Sequence, residues 1–130
     1  MLFVVAAWPP VLPGVAAVVG TWEGESLCAV PNSPCHDEHA LYRIAAGKKN
    51  PAQLNIDGYK IVNGSPQFMG ALLCLYRTEQ AQLTCTGNTS KQDDWQFRVS
   101  GDSMTGTLTL GAEKMLYRRI TLHKTSPKAH

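Results

Sequence analysis

From residue 20 onward, apolar and polar side chains alternate with a period of two. Gly20–Cys28 places Trp22, Gly24, Ser26 and Cys28 on one face, with Thr21, Glu23, Glu25 and Leu27 on the other. Residues 39–45 bring Tyr42 and Ile44 together, and residues 53–57 do the same for Leu54 and Ile56. Residues 59–62 form a short apolar run, and residues 68–77 a longer one that is apolar on both faces. Residues 82–86 turn Leu83 and Cys85 inward; residues 94–100 align Trp95, Phe97 and Val99. Ser103–Leu110 aligns Met104, Gly106, Leu108 and Leu110 against three threonines. Residues 115–123 align Leu116, Arg118, Ile120 and Leu122. Such alternation over short runs is the signature of half-buried strands, and no sustained helical stripe competes with it.

Turn chemistry separates the runs. Asp57-Gly58 and Asn63-Gly64 pair residue types that tolerate positive φ. Ser100-Gly101-Asp102 makes a tight loop, and residues 87–92 a polar one. The reading is eight or nine short strands in sequential order. A meander of this kind removes its exposed edges by closing on itself. The expected fold is therefore all-β, an eight-stranded antiparallel up-and-down barrel over residues 20–124, with residues 125–130 as a flexible tail.

The chain has 130 residues, one domain's worth, and 44% of them are hydrophobic. A net charge of +2 excludes a strongly basic nucleic-acid binder. The segment before residue 20 carries no charged side chain, and Ala16 and Ala17 are small. It reads either as a secretory signal cleaved near Ala17 or as an apolar arm packed on the barrel. Pro9, Pro10 and Pro13 argue against a membrane span. Four cysteines support export to a secreted or periplasmic setting. The pairs Cys28–Cys35 and Cys74–Cys85 both close short local loops and are the expected disulfides. A two-residue turn at Glu79-Gln80 places Cys74 and Cys85 opposite each other at a wide, hydrogen-bonded site.

Arg118 falls on an apolar face, where an unpaired guanidinium is costly. If the meander closes, the first and last strands become neighbours, and Arg118 is expected to cap the Trp22 indole. The Gly20-Thr21-Trp22 opening together with Arg118 on the last strand resembles the lipocalin and calycin superfamily, and the opening also resembles that of avidin. The wider pattern of GTWEG, PCHDE, IVNG, FMG, GTL and YRR resembles small exported bacterial proteins of uncharacterised activity. The superfamily resemblance implies a barrel closed at one end by Trp22 and Arg118. Arg119 is the alternative match if the register slips by one.

The function expected is that of an exported, non-enzymatic binding protein taking an apolar or amphipathic molecule into the barrel. Tyr42, Phe68, Trp95, Phe97 and Leu108 supply the apolar lining, and Tyr76 or Arg118 the polar anchor. The alternative is a protein-interaction module, such as an inhibitor of an extracellular protease or lysozyme, acting through the disulfide-pinned loop from Cys28 to Cys35. No nucleophile elbow, phosphate loop, dinucleotide fingerprint or EF-hand is present, so neither an enzyme nor a cofactor is expected. His36 and His39 lie three apart in a cysteine-flanked acidic stretch. On a strand they point to opposite faces, which favours a solvated loop over a metal site. The carrier reading rests on a sealed cylinder with the indole capped by a guanidinium.

Overall fold

The computed structural model describes residues 13–50, 52–87 and 92–129. Eight antiparallel strands follow one another in chain order and close into a barrel. They are β1 (Gly20–Cys28), β2 (Glu38–Ala46), β3 (Gln53–Val62), β4 (Ser65–Arg77), β5 (Gln82–Gly87), β6 (Asp93–Ser100), β7 (Ser103–Leu110) and β8 (Met115–Ser126). β1 pairs with β8, from Trp22↔Lys124 to Cys28↔Arg118, and this seals the cylinder. A short helix, α1 (Pro13–Val18), precedes β1.

Two sequence expectations are corrected. Asp57-Gly58 is not a turn: β3 runs through it, with Gly58 opposite Tyr42 and Gly70, so two expected strands are one. Neighbouring strands on both sides supply ladder partners, and that overrides the local turn preference. Asn63-Gly64 does form the β3–β4 turn, with φ of 52° and 80°. The second correction concerns the β4–β5 hairpin. Its loop is four residues long, with Arg77 paired to Gln82. Two extra loop residues reverse the alternation of wide and narrow pairs. Cys74 and Cys85 consequently face each other across a narrow pair, with Cα atoms 4.1 Å apart. β8 also extends to Ser126, past the expected end of the barrel at residue 124.

The inward faces divide the barrel into two halves. One half is packed solid by Trp22, Ile44, Leu54, Ile56, Leu83, Met104 and Leu122, together with the buried Cys74–Cys85 disulfide. α1 lies against this end. Val18 is fully buried, and Val15 and Val19 pack beside it. The expected signal or arm thus includes residues 13–18, of which Val18 is buried in the core and Val15 packs against it, while Ala16 and Ala17 are exposed; residues 1–12 lie outside the described residues. So do residues 88–91 of the expected polar loop. The second disulfide, Cys28–Cys35, pins the β1–β2 loop at the opposite end. Two disulfides in a small barrel fit an oxidising compartment. Among the described residues no helix is long and apolar enough to cross a membrane.

Candidate functional site

The half of the barrel away from α1 is hollow. A cavity of about 370 Å³ opens there, lined on the apolar side by Ala40, Tyr42, Tyr59, Leu72, Trp95 and Leu108. Glycines create much of this space. Gly58 and Gly70 face each other on β3 and β4, and a Cβ at Gly70 would meet nothing within 4 Å. Phe97 is buried behind two of the lining rings, 5.9 Å edge-on from Tyr42 and stacked at 6.3 Å on Trp95. Its ring lies over Gly106, the residue opposite it on β7.

Polar groups cluster at the rim. The Arg118 Nη2 bonds the Glu38 carboxylate at 2.8 Å. The Arg118 Nη1 donates to the Ser26 hydroxyl at 3.2 Å, the Ser26 carbonyl at 3.3 Å and the His36 carbonyl at 3.1 Å. Arg118 thereby ties β8 to the end of β1, to β2 and to the pinned loop. Asp37 caps the same loop by accepting the Cys28 N–H at 2.8 Å. Across the cavity the Asp93 carboxylate accepts the Gly87 N–H at 2.7 Å and the Trp95 indole N–H at 2.8 Å. The Tyr42 side chain is largely buried; among the described residues no fully buried side-chain polar atom lacks a partner, so its hydroxyl, which makes no hydrogen bond there, keeps access to the cavity that Tyr42 lines. Burial pushes its pKa well above the ordinary tyrosine value; the Arg118 charge opposes this and Glu38 adds to it.

The expected ligand-binding residues are therefore only partly brought together. Tyr42, Trp95 and Leu108 line the cavity; Phe97 does not, and packs behind Tyr42 and Trp95. Tyr76 does not reach it; the ring is buried in the packed half beside Gly14. Phe68 points outward, 60% exposed, with its ring against Tyr59. A register shift between Gly58 and Tyr59 is the cause: Met69 is the unpaired residue, and inward and outward positions exchange beyond it.

The expected cap of Arg118 on Trp22 is also corrected. Lys124 occupies that place, its ammonium 5.5 Å from the Trp22 ring and 2.7 Å from the Ala17 carbonyl. In an antiparallel pair the start of one strand faces the end of the other. Arg118 lies six residues before Lys124 on β8, about 20 Å away at ~3.3 Å per residue. Trp22 itself closes the base, fully buried, and donates its indole N–H to the Val18 carbonyl at 2.9 Å. Barrel closure holds, but the capped indole no longer supports a carrier; that reading now stands on the cavity.

Glu38, Ser26 and Asp93 were not singled out as cavity residues from the sequence. Extending the inward parity of Tyr42 and Ala40 by one step reaches Glu38, which is the signal that was available. His39 faces outward and bonds Glu23 at 3.1 Å. Among the described residues no three His, Cys, Asp or Glu side chains are placed to hold a metal ion. No known protein family matches this chain, and no curated protein does either.

Proposed function

We propose that this barrel is an exported, lipocalin-like carrier that holds one small apolar or amphipathic molecule and releases it unchanged. The observation that carries the reading is the cavity of about 370 Å³, walled by aromatic and aliphatic side chains and bordered by a few polar groups. That volume falls within the usual range of small-molecule sites and exceeds any ordinary packing defect. Phe97, packed behind Tyr42 and Trp95, holds these lining rings in place without a ligand, so little ordering has to accompany binding.

The test uses N-phenyl-1-naphthylamine, whose emission rises on entering an apolar site. The wild-type chain is expected to bind it saturably with one site per barrel. Gly58→Leu projects four carbons into the cavity from a position where a Cβ has only ordinary contacts, 3.5 Å or more away. It should weaken binding about tenfold or more while leaving the fold intact. No saturable binding to the wild type, or equal binding to Gly58→Leu, would remove the carrier reading.

The pinned loop favours a second reading, an inhibitor of an extracellular hydrolase. Cys28–Cys35, the Ser33 hydroxyl bond to the Val30 carbonyl and the Arg118 bond to His36 hold exposed Pro31, Asn32 and Pro34 in place. A preorganised loop loses little entropy on docking. Deleting residues 30–34 would abolish capture of such a partner and leave probe binding unchanged.

A further inference from the structure

The rim of the cavity has a charge arrangement that bears on the ligand's head group. The inference rests on the carrier reading. One guanidinium and two carboxylates border the space. Each of the three already has partners. Arg118 bonds Glu38, Ser26 and the His36 carbonyl through Nη1 and Nη2. Asp93 accepts two N–H donors, both at Oδ2. The pair at the rim therefore presents a dipole, and the nearest group without a partner among the described residues is the Tyr42 hydroxyl, which feels both Arg118 and Glu38.

From this geometry we infer that the cavity selects an uncharged amphiphile whose head both donates and accepts hydrogen bonds, such as an alcohol, and discriminates against the matching carboxylate. A hydroxyl head takes the Tyr42 O–H and gives its own proton to the Glu38 carboxylate or the Ser26 hydroxyl. A carboxylate head brings a second negative charge beside Glu38, where Arg118 Nη1 and Nη2 already have acceptors. An ammonium head gains the two carboxylates but meets Arg118 at the same rim. In a site screened from water, each like-charge encounter weighs more than in solvent. Glu38 thus excludes anions through the same bond that neutralises Arg118.

The experiment displaces bound N-phenyl-1-naphthylamine with decan-1-ol, decanoate and decylamine at neutral pH. Decan-1-ol should bind about tenfold or more tightly than either charged compound. Glu38→Gln keeps a hydrogen bond to Arg118 but removes the negative charge; it should raise decanoate affinity about tenfold relative to decan-1-ol. Tyr42→Phe should weaken decan-1-ol several-fold more than it weakens the probe, because only the alcohol head uses the Tyr42 O–H. Circular dichroism confirms that each variant is folded. If decanoate or decylamine equals or exceeds decan-1-ol, or Glu38→Gln leaves the ratio unmoved, the head-group inference is overturned while the carrier reading stands. The head-group inference is likewise overturned if none of the three displaces a bound probe. If the probe itself does not bind, both readings fall together.

Discussion

Arg118 and Glu38 meet at 2.8 Å just inside the rim, so that β8 is clamped to β2 across the end of β1. Both side chains are largely screened from solvent, with exposures of 13% and 19%. Removing one partner of such a pair leaves the other charge desolvated and uncompensated. Arg118→Ala is expected to lower unfolding free energy by about 3 kcal/mol in urea titrations, with Glu38→Gln costing roughly a third as much. Arg118→Ala should also expose the pinned loop to proteases, because the His36 carbonyl loses its donor. A loss below about 0.5 kcal/mol would mean the pair behaves as an exposed surface bridge.

Tyr42 makes the fold sensitive to alkali. Its neutral form is favoured in the folded state because burial raises its pKa; burial also raises that of Tyr76. The unfolded chain releases these protons near pH 10, the ordinary tyrosine value. The contribution is therefore complete below about pH 10 and is lost as the pH climbs from there toward the folded-state value, by about 1.4 kcal/mol per unit for each tyrosine held neutral. Tyr42→Phe should leave the urea midpoint at pH 7 almost unchanged and flatten the decline above pH 10. A wild-type midpoint that stays constant between pH 9 and 11 would contradict this.

How much of this was legible beforehand differs from feature to feature. The barrel itself was readable, since the alternation in β1, in β6 and in residues 118–124 of β8 determines which side chains face inward. Asp57-Gly58 misled because a turn signal carries only local information, and the ladders on both sides of β3 are long-range. Phe68 misled because a single unpaired residue, Met69, reverses every parity beyond it; Gly70 beside it, with φ of 155°, was the one local sign of a bulge. The placement of Arg118 follows from antiparallel geometry alone: strand adjacency brings β8 beside β1, but strand direction sends Arg118 to the end opposite Trp22. The cavity was legible only in part: Tyr42, Trp95 and Leu108 were expected to line it, but its space comes from Gly58 and Gly70 facing each other, a juxtaposition set by register.

The two disulfides should differ in susceptibility. Cys74 and Cys85 are both fully buried, whereas Cys28 and Cys35 are partly exposed at the rim. Attack by a thiolate or phosphine requires access to sulfur. Mild reduction of the native protein followed by alkylation should label Cys28 and Cys35 only, read by peptide mass spectrometry. Replacing both Cys74 and Cys85 by Ala should cost about 3 kcal/mol, the loop-entropy value for this span. Equal labelling of all four sulfurs in the folded state would show that the packed half opens readily.

Glycine substitutions should rank by what a Cβ meets. At Gly24 it would overlap the Thr121 carbonyl on β8, where the chain cannot yield without breaking the ladder that closes the barrel. At Gly106 it would overlap the Phe97 ring, which packs behind Tyr42 and Trp95. Either change to Ala is expected to cost about 2–4 kcal/mol. Gly58→Ala meets only ordinary contacts and should fall within about 1 kcal/mol of wild type. Thermal melts of the three single variants provide the ranking; Gly58→Ala as the most damaging would contradict it.

A chain shortened to begin at Val18 tests whether α1 is part of the folded barrel. The Val19 N–H bonds the Val15 carbonyl at 3.1 Å, which fixes the peptide whose Val18 carbonyl accepts the Trp22 indole. Lys124 reaches the Ala17 carbonyl from the far strand, and Gly14 packs on Tyr76 and Thr78. Truncation removes Val15 from the core margin, releases Lys124 from its carbonyl partner and opens the base beside Trp22. The combined loss should be about 3 kcal/mol, from apolar burial and the freed polar groups. It is measurable as a lower urea midpoint, with Trp22 emission shifted to the red when both chains carry Trp95→Phe and the full chain also carries Trp8→Phe. Val18→Asp in the full chain should be comparably damaging, because it buries a carboxylate without a partner. If the shortened chain unfolds at the same urea concentration as the full one, α1 is dispensable, and cleavage after Ala17 is compatible with the barrel. If it is destabilised as expected, cleavage at that site would remove a structural part of the closed end.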